Sequence, residues 1–411
     1  MNSATMTVAP GREAAGLERV SVWLLLALVA SLQVSIAAAS ILLSLTLVCW
    51  AARLVRDKAL PAAPPFFVPL TAYAGMTLVS AAFSVDPATS LVDSKQLLLF
   101  LLVPAVYDIA RGRRAATVID VIVSVGAVSA AFGIIQYGIL HYDSLGRRPE
   151  GAMSHYMTYS GLVMLVICAA VARLVFGARD RLWPALVMPA LIVVLPLTFS
   201  RSAEVGTFVA VGLILLLKGL RLTALLPIIV ALIFAIAPDS VTDRMMSMFN
   251  LKDPTVQDRV AMLQTGTAMI ADHPLTGVGP NMVERMYAQY RSPNAVNATN
   301  PHLHNVPVQI GAERGLPALA VWLWLIVSLT LALFRRFRGG DPSTGSGSSR
   351  AASRDDRVLV TAALASVAAM LGAGLFEYNF GDSEFLMLFL VLVTLPFAAA
   401  RTDDAPAAAD A

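Results

Sequence analysis

Apolar residues in this chain run in long uninterrupted blocks, not in the alternating patterns of half-buried helices and strands. Blocks of about 17–25 residues match the length that carries an α-helix across a bilayer core. Twelve can be read, at 20–37, 38–55, 66–83, 95–110, 115–140, 157–177, 182–199, 204–220, 221–238, 304–334, 357–377 and 384–400. The first two share one apolar stretch. Ala37-Ala38-Ala39-Ser40 looks faintly like a cleavage site, but a second apolar run follows at once, so an uncleaved helical hairpin is expected. Pro184, Pro189 and Pro196 fall in the 182–199 block and predict a kink, because each removes a backbone donor. The pattern therefore predicts an all-α polytopic membrane protein with about 12 transmembrane helices and one large polar loop containing short helices.

Polar residues between the blocks are distributed unevenly. Alternate connections carry Arg53, Arg56 and Lys58, then Arg111, Arg113 and Arg114, then Arg173, Arg179 and Arg181, then Lys218 and Arg221, then Arg335, Arg336 and Arg338. The opposite short loops are nearly free of Lys. All the basic loops fall on one side if the N-terminus, 1–19, with Arg12 and Arg19, is cytoplasmic. On this reading residues 20–238 hold helices 1–9, 239–303 form a loop on the far side, and 304–400 hold helices 10–12. Residues 335–356, Gly- and Ser-rich from 339 to 354, form a flexible cytoplasmic linker, and 401–411 a disordered tail.

Composition agrees. The 411 residues are 57% hydrophobic and 14% charged, against roughly a quarter charged in a soluble domain. The surplus apolar surface needs lipid as its solvent. A net charge of +3 gives no reason to expect a nucleic-acid partner. Cys49 and Cys168 lie inside apolar blocks and read as small core residues.

The loop 239–303 concentrates the ionisable chemistry. It shows helical patterning at 256–271 and 281–290, with turn points at Gly277 and Gly279, so a small packed subdomain on the membrane is expected. On the same face lie Arg147, Arg148 and His155, then Arg201 and Glu204, then Arg259, Arg285 and Arg291, then His302 and His304, then Asp382 and Glu384. Arg201 breaks the positive-inside pattern, which favours an anionic partner over a lipid-snorkelling role; Glu204 is either that partner or a group orienting Arg201. Arg259 and Arg285 are either solvated surface arginines or phosphate forks, and a loop holding one lysine, Lys252, leans toward the latter. His304 is either a solvated residue at a helix start or a base for a hydroxyl proton. His302, two positions earlier, makes only a weak metal pair, and no third ligand stands at sensible spacing, so no metal is expected. Glu313 either reaches the His304 site or pairs with Arg314. His155 and its aromatic neighbours are either an interface belt or a sugar-stacking platform.

Absences narrow the chemistry. The first outer turn, 35–40, has no acid of the kind a metal-dependent membrane glycosyltransferase needs. A Walker phosphate loop and a Gly-x-Ser-x-Gly elbow are missing. No run of charges inside the blocks suggests a proton relay, which weighs against a pump. A lipid-linked glycan flippase or a glycolipid-binding scaffold remain as readings of another class.

The chain resembles the O-antigen ligase and polymerase family. The resemblance is carried by Ser200-Arg201-Ser202-Ala203, by Asp272-His273-Pro274-Leu275-Thr276-Gly277-Val278-Gly279, and by His302-Leu303-His304-Asn305 followed by Gln309 and Ala312-Glu313-Arg314-Gly315. It implies a GT-C-like bacterial inner-membrane enzyme that moves glycan from undecaprenyl pyrophosphate at the periplasmic face, without cofactor. In a ligase the acceptor is the lipid A–core oligosaccharide. In a polymerase it is a second lipid-linked repeat, and in a protein-glycosylating relative a serine or threonine. The chain's single dominant loop favours the ligase. Under this resemblance Arg201 and Arg285 hold the pyrophosphate and His304 activates the acceptor. Arg259, His155, His302, Glu204, Glu313 and Arg147 complete the expected substrate contacts.

Overall fold

The chain, described by a computed structural model over residues 12–177, 181–339 and 347–401, places a helix at each of the twelve apolar blocks. These are α1 (Arg12–Ser31), α2 (Ile36–Asp57), α3 (Phe67–Ala82), α4 (Pro87–Asp93) leading through a 3-10 turn into α5 (Leu102–Ile109), α6 (Arg114–Gly138), α7 (Tyr156–Phe176), α8 (Leu182–Leu197), α9 (Arg201–Lys218), α10 (Leu225–Ile236), then α11 (Asp239–Met246), α12 (Pro254–Asp272) and α13 (Val283–Tyr290) in the loop, and α14 (Val306–Gly339), α15 (Gly347–Gly374) and α16 (Ser383–Ala399). Among the described residues, six helices are long and apolar enough to cross a membrane, and four apolar ones are shorter. The described residues contain no strand, only an isolated bridge between Ser144 and Arg147.

Burial follows hydropathy. α7, α15 and α16 form the centre, with α15 packed along α9 and α7. The outer helices leave large apolar side chains such as Val55, Val128 and Leu182 exposed, the surface that lipid would cover. The basic ends of the helices gather at one end of the bundle. Arg53, Arg111 and Arg401 surround Asp108, Arg114 meets Glu18, Arg173 meets Asp120 and Arg336 meets Asp356. The expected loop helices at 256–271 and 281–290 are α12 and α13, and they share a core of Met262, Met269, Met282 and Tyr287 with Leu303 and Ala312. α8 runs through Pro189 and Pro196 as one helix. The predicted linker 335–356 is helical to Gly339 and again from Gly347; 340–346 lie outside the described residues, as do the N-terminal 1–11 and the tail from 402.

One expected span differs. The block 304–334 is two helices joined at Gly315, whose φ of 80° and ψ of 169° stop the first, and Pro317 begins the second. Val306 and Ile310 of the first and Trp322, Leu325 and Leu329 of the second are buried in the main core. At this break Leu316 N donates to Pro274 O, Val278 N to Ala312 O and Gly279 N to Glu313 O. The family-like Asp272–Gly279 stretch is thus the strap that fastens the loop to the broken helix. Gly277 has φ +67°, and a Cβ there would stand 2.2 Å from the Glu313 carbonyl carbon. Both the left-handed conformation and the backbone overlap oppose any side chain. Gly277→Ala should cost ~3 kcal/mol or more and lower the melting temperature of the detergent-purified protein; an unchanged melt would refute the strap.

Candidate active site at the loop end of the bundle

Three helices begin at one chamber. Tyr156 and Met157 open α7, Arg201 and Ser202 open α9, and Pro254 and Thr255 open α12; all line a cavity of about 330 Å³, with His304 at its edge just before α14. The starts of α7 and α9 carry no side-chain cap, so their first N–H groups and the positive ends of their dipoles are open to an anion. The approaching chain is bent sharply to achieve this: Phe199 and His304 hold φ of 53° and 49°, left-handed values that non-glycine residues adopt only when their surroundings enforce them.

Four arginines and one carboxylate line the chamber: Arg148, Arg201, Arg244, Arg259 and Asp258. Asp258 is already committed, accepting from Val296 N at 3.0 Å, Asn297 N at 3.1 Å and Asn297 Nδ2 at 2.6 Å, and so pins the loop's last turn. Asp253 caps α12 by accepting from Thr255 N at 2.8 Å, and stands 4.0 Å from Arg201 and 3.9 Å from Arg244. A cap of this kind is worth about 0.5–2 kcal/mol. Here it also fixes two guanidinium groups. Arg201 donates to Ser247 Oγ at 2.9 Å and to Thr255 Oγ1 at 2.5 Å. Arg259 approaches Glu377 at 4.0 Å, and burial pushes its guanidinium pKa down. Arg259 Nη1 and Arg244 Nε are buried donors that make no hydrogen bond.

His304 faces two ways. Its Nδ1 lies 2.9 Å from both carboxylate oxygens of Glu377, while the ring lines the arginine chamber. Asn305 anchors it, accepting from Val308 N at 2.9 Å and donating to Leu375 O at 3.0 Å. Gln309 Oε1 accepts from Leu303 N at 2.7 Å on the other side. His302 packs on His304 with centroids 4.2 Å apart, its Nε2 3.1 Å from Glu377 Oε1. Burial pushes the Glu377 carboxyl up, and the two imidazoles more than reverse this, holding it well below the usual carboxylate range. Burial also pushes the His304 imidazole below its ordinary value, against the pull of Glu377. The directions are compatible: a neutral imidazole donates Nδ1–H to the carboxylate, and Nε2 keeps a lone pair.

A second cavity, about 320 Å³ and largely apolar, shares Arg201, Ser202, Arg259 and His304 with the first and continues along Val205, Phe249, Val260, Leu263 and Phe376. One continuous site thus joins a cationic chamber to an apolar groove, with an imidazole where they meet. His302, His304 and Glu377 also lie close enough for three-point metal ligation, their donor atoms within 4.8 Å of one another. The third ligand that sequence spacing did not reveal is therefore present 73 residues beyond His304. Its carboxylate lies within hydrogen-bond distance of both imidazoles.

The other expected residues separate. Arg285 does not reach the chamber: it is largely exposed and pairs with Asp86 at 2.5 Å, an acid that caps α4. Glu313 turns from His304 into the helix break, where it meets Arg314 at 2.5 Å and accepts from Asn281 N at 3.0 Å. Glu204 lines an apolar cavity between α7, α8, α9 and α10, and neither of its oxygens is bonded to Arg201. Arg147 lies over the Tyr142 ring at 4.2 Å, outside the chamber, whereas its neighbour Arg148 lines it. His155 stacks on Tyr156 and lines a third cavity with His302 and Glu377.

Residues 186–323 match a family model described as O-antigen ligase, which supports membership of that family. The matched segment carries Arg201, Arg244, Arg259 and His304. No match was found among curated proteins. The match covers about a third of the chain, residues 186–323 of 411, and the apolar helices suggest a multi-pass membrane protein.

Proposed function

We propose that the chain is an O-antigen ligase: it transfers O-antigen glycan from undecaprenyl pyrophosphate to the lipid A–core oligosaccharide at the periplasmic face of the bacterial inner membrane, with all twelve apolar blocks crossing the bilayer. The observation that carries this reading is the meeting of the arginine chamber and the apolar groove at Arg201, Arg259 and His304. A polyprenyl pyrophosphate has the same division into an anionic head and an apolar tail.

The reaction needs little more. An acceptor hydroxyl attacks the anomeric carbon, the bond from that carbon to the pyrophosphate oxygen breaks, and the pyrophosphate leaves with the electron pair. The hydroxyl proton passes to His304 Nε2, whose Nδ1–H is held by Glu377. Direct displacement inverts the anomeric centre. Fixed arginines and helix N-termini stabilise the leaving charge, the role a metal ion plays elsewhere. A flippase reading gains little here, because the arginines and histidines of the site gather at the loop end of the bundle.

The test is reconstitution in detergent, where no compartments exist. Purified chain mixed with both lipids and EDTA should produce capped glycolipid. Product that appears only after a divalent cation is added would remove the metal-independent reading, and none under any condition would remove the enzyme. In cells lacking the chain, uncapped lipid A–core is expected; single repeats on the core would instead identify a polymerase. The pH profile follows from a neutral base. Transfer should hold on the alkaline side and fall as pH drops through the lowered His304 pKa, so the acid limb of kcat/KM lies below the ordinary ~6.5. Glu377 holds the imidazole up, so Glu377→Gln should move that limb to still lower pH. An acid limb above 6.5 contradicts the assignment.

A further inference from the structure

The third cavity, about 180 Å³, lies on the far side of the His302–His304–Glu377 cluster from the arginines. Met157 lines both chambers, and the stacked imidazoles divide them, His304 toward one and His302 toward the other. The two chambers have opposite chemistry. Among the described residues no arginine or lysine lines this one; it holds the carboxylates of Glu377 and Asp382, the imidazoles of His155 and His302, the hydroxyl of Thr158, the amide of Asn379 and the rings of Tyr378 and Phe385. Its volume is below the ~300–1,000 Å³ of a drug-sized pocket and suits a single ring.

We propose that this chamber is the acceptor subsite, and that Asp382 and Thr158 select an uncharged, hydroxyl-bearing terminal sugar; the proposal rests on the transfer reaction above. Carboxylate and amide groups hydrogen-bond sugar hydroxyls, and aromatic rings cover the apolar face of a sugar. Two carboxylates repel a phosphorylated or acidic ring, and also keep the donor's pyrophosphate on its own side. Thr158 on α7 donates to Asp382 Oδ2, tying the two walls together, while Asp382 Oδ1 caps α16 by accepting from Phe385 N at 2.9 Å. Each oxygen retains a lone pair for a ligand hydroxyl. A sugar held here lies against His302 and Glu377, the two groups that contact His304, and Met157 is a wall that both chambers share.

The competing explanation is that Asp382 only caps a helix. Asp382→Asn separates the two, because asparagine caps as well as aspartate. Thr158→Val provides a second variant that leaves the cap untouched. The probes are O-antigen-free lipid A–core glycolipid and undecaprenyl-pyrophosphate-linked glycan, each titrated onto the purified chain in detergent. Both variants should bind the acceptor about tenfold or more weakly, with donor Kd within about twofold of the parent. Asp382→Asn should also narrow the parent's preference for a neutral over a phosphorylated terminal ring. Equal acceptor Kd in parent and variants overturns the subsite, even where transfer proceeds. Parallel loss of donor and acceptor binding overturns it too, by placing these residues in the fold. The proposed reaction fails separately, when the parent binds both lipids with these preferences and forms no product.

Discussion

Replacing His304 with alanine should cut glycan transfer by about 10²–10⁴-fold, the usual worth of a positioned general base. The residue is held in a backbone conformation that costs ~1–3 kcal/mol, and both flanking positions are pinned by side-chain hydrogen bonds from Asn305 and Gln309. Alanine relieves that strain only in part, so the fold should survive and the loss should fall on kcat, with donor KM little changed. Glu377→Gln keeps the volume but loses the charge that sets the imidazole tautomer, and should cost a substantial part of the same factor. The double variant should be no slower than His304→Ala alone, because Glu377 acts through the imidazole and such residues are not additive. His302→Ala, which leaves the arginine chamber intact, should cost less. Initial rates of well-expressed variants with saturating lipids decide this. A His304→Ala enzyme within a few-fold of the parent would end the role of His304 as base.

The sequence reveals helices far better than partnerships. Long apolar blocks are a one-dimensional signal, and each of the twelve contains a helix. Hydropathy does not register a backbone dihedral, however, so the block at 304–334 hides the break at Gly315 that turns Glu313 and Arg314 away from His304. Glu377 was concealed differently. It closes an apolar block and lies 73 residues from His304, and the only hint was a lone acid at a helix end on the loop side. Arg285 shows the converse. A loop rich in arginine over lysine points to phosphate chemistry, but that preference cannot say which arginine faces inward, and Arg285 faces outward to Asp86. Arg244 needed three dimensions as well: one turn of α11 and the Asp253 cap bring it beside Arg201.

Arg201→Lys and Arg259→Lys should each lower transfer by about 10²–10³-fold, the range for losing one preorganised donor on a developing anion. Lysine keeps the charge, so the test isolates geometry. Arg201 divides its nitrogens between Ser247 and Thr255, an arrangement a single ammonium cannot reproduce. Arg259 leaves Nη1 unbonded inside the chamber and sits 4.0 Å from the carboxylate that orients His304, so its loss disturbs leaving group and base together. The two variants should therefore differ in kind. Arg201→Lys should act through the donor, raising its KM as well as lowering kcat, whereas Arg259→Lys should also displace the acid limb of the pH profile. Arg285→Ala supplies the contrast. Its exposed pair with Asp86 is worth only ~0.2–1 kcal/mol, and transfer should stay within about twofold. If Arg285→Ala abolished transfer while Arg259→Lys did not, the anion would have to bind on the outer face of α13, and the chamber bounded by α7, α9 and α12 would not be the donor site.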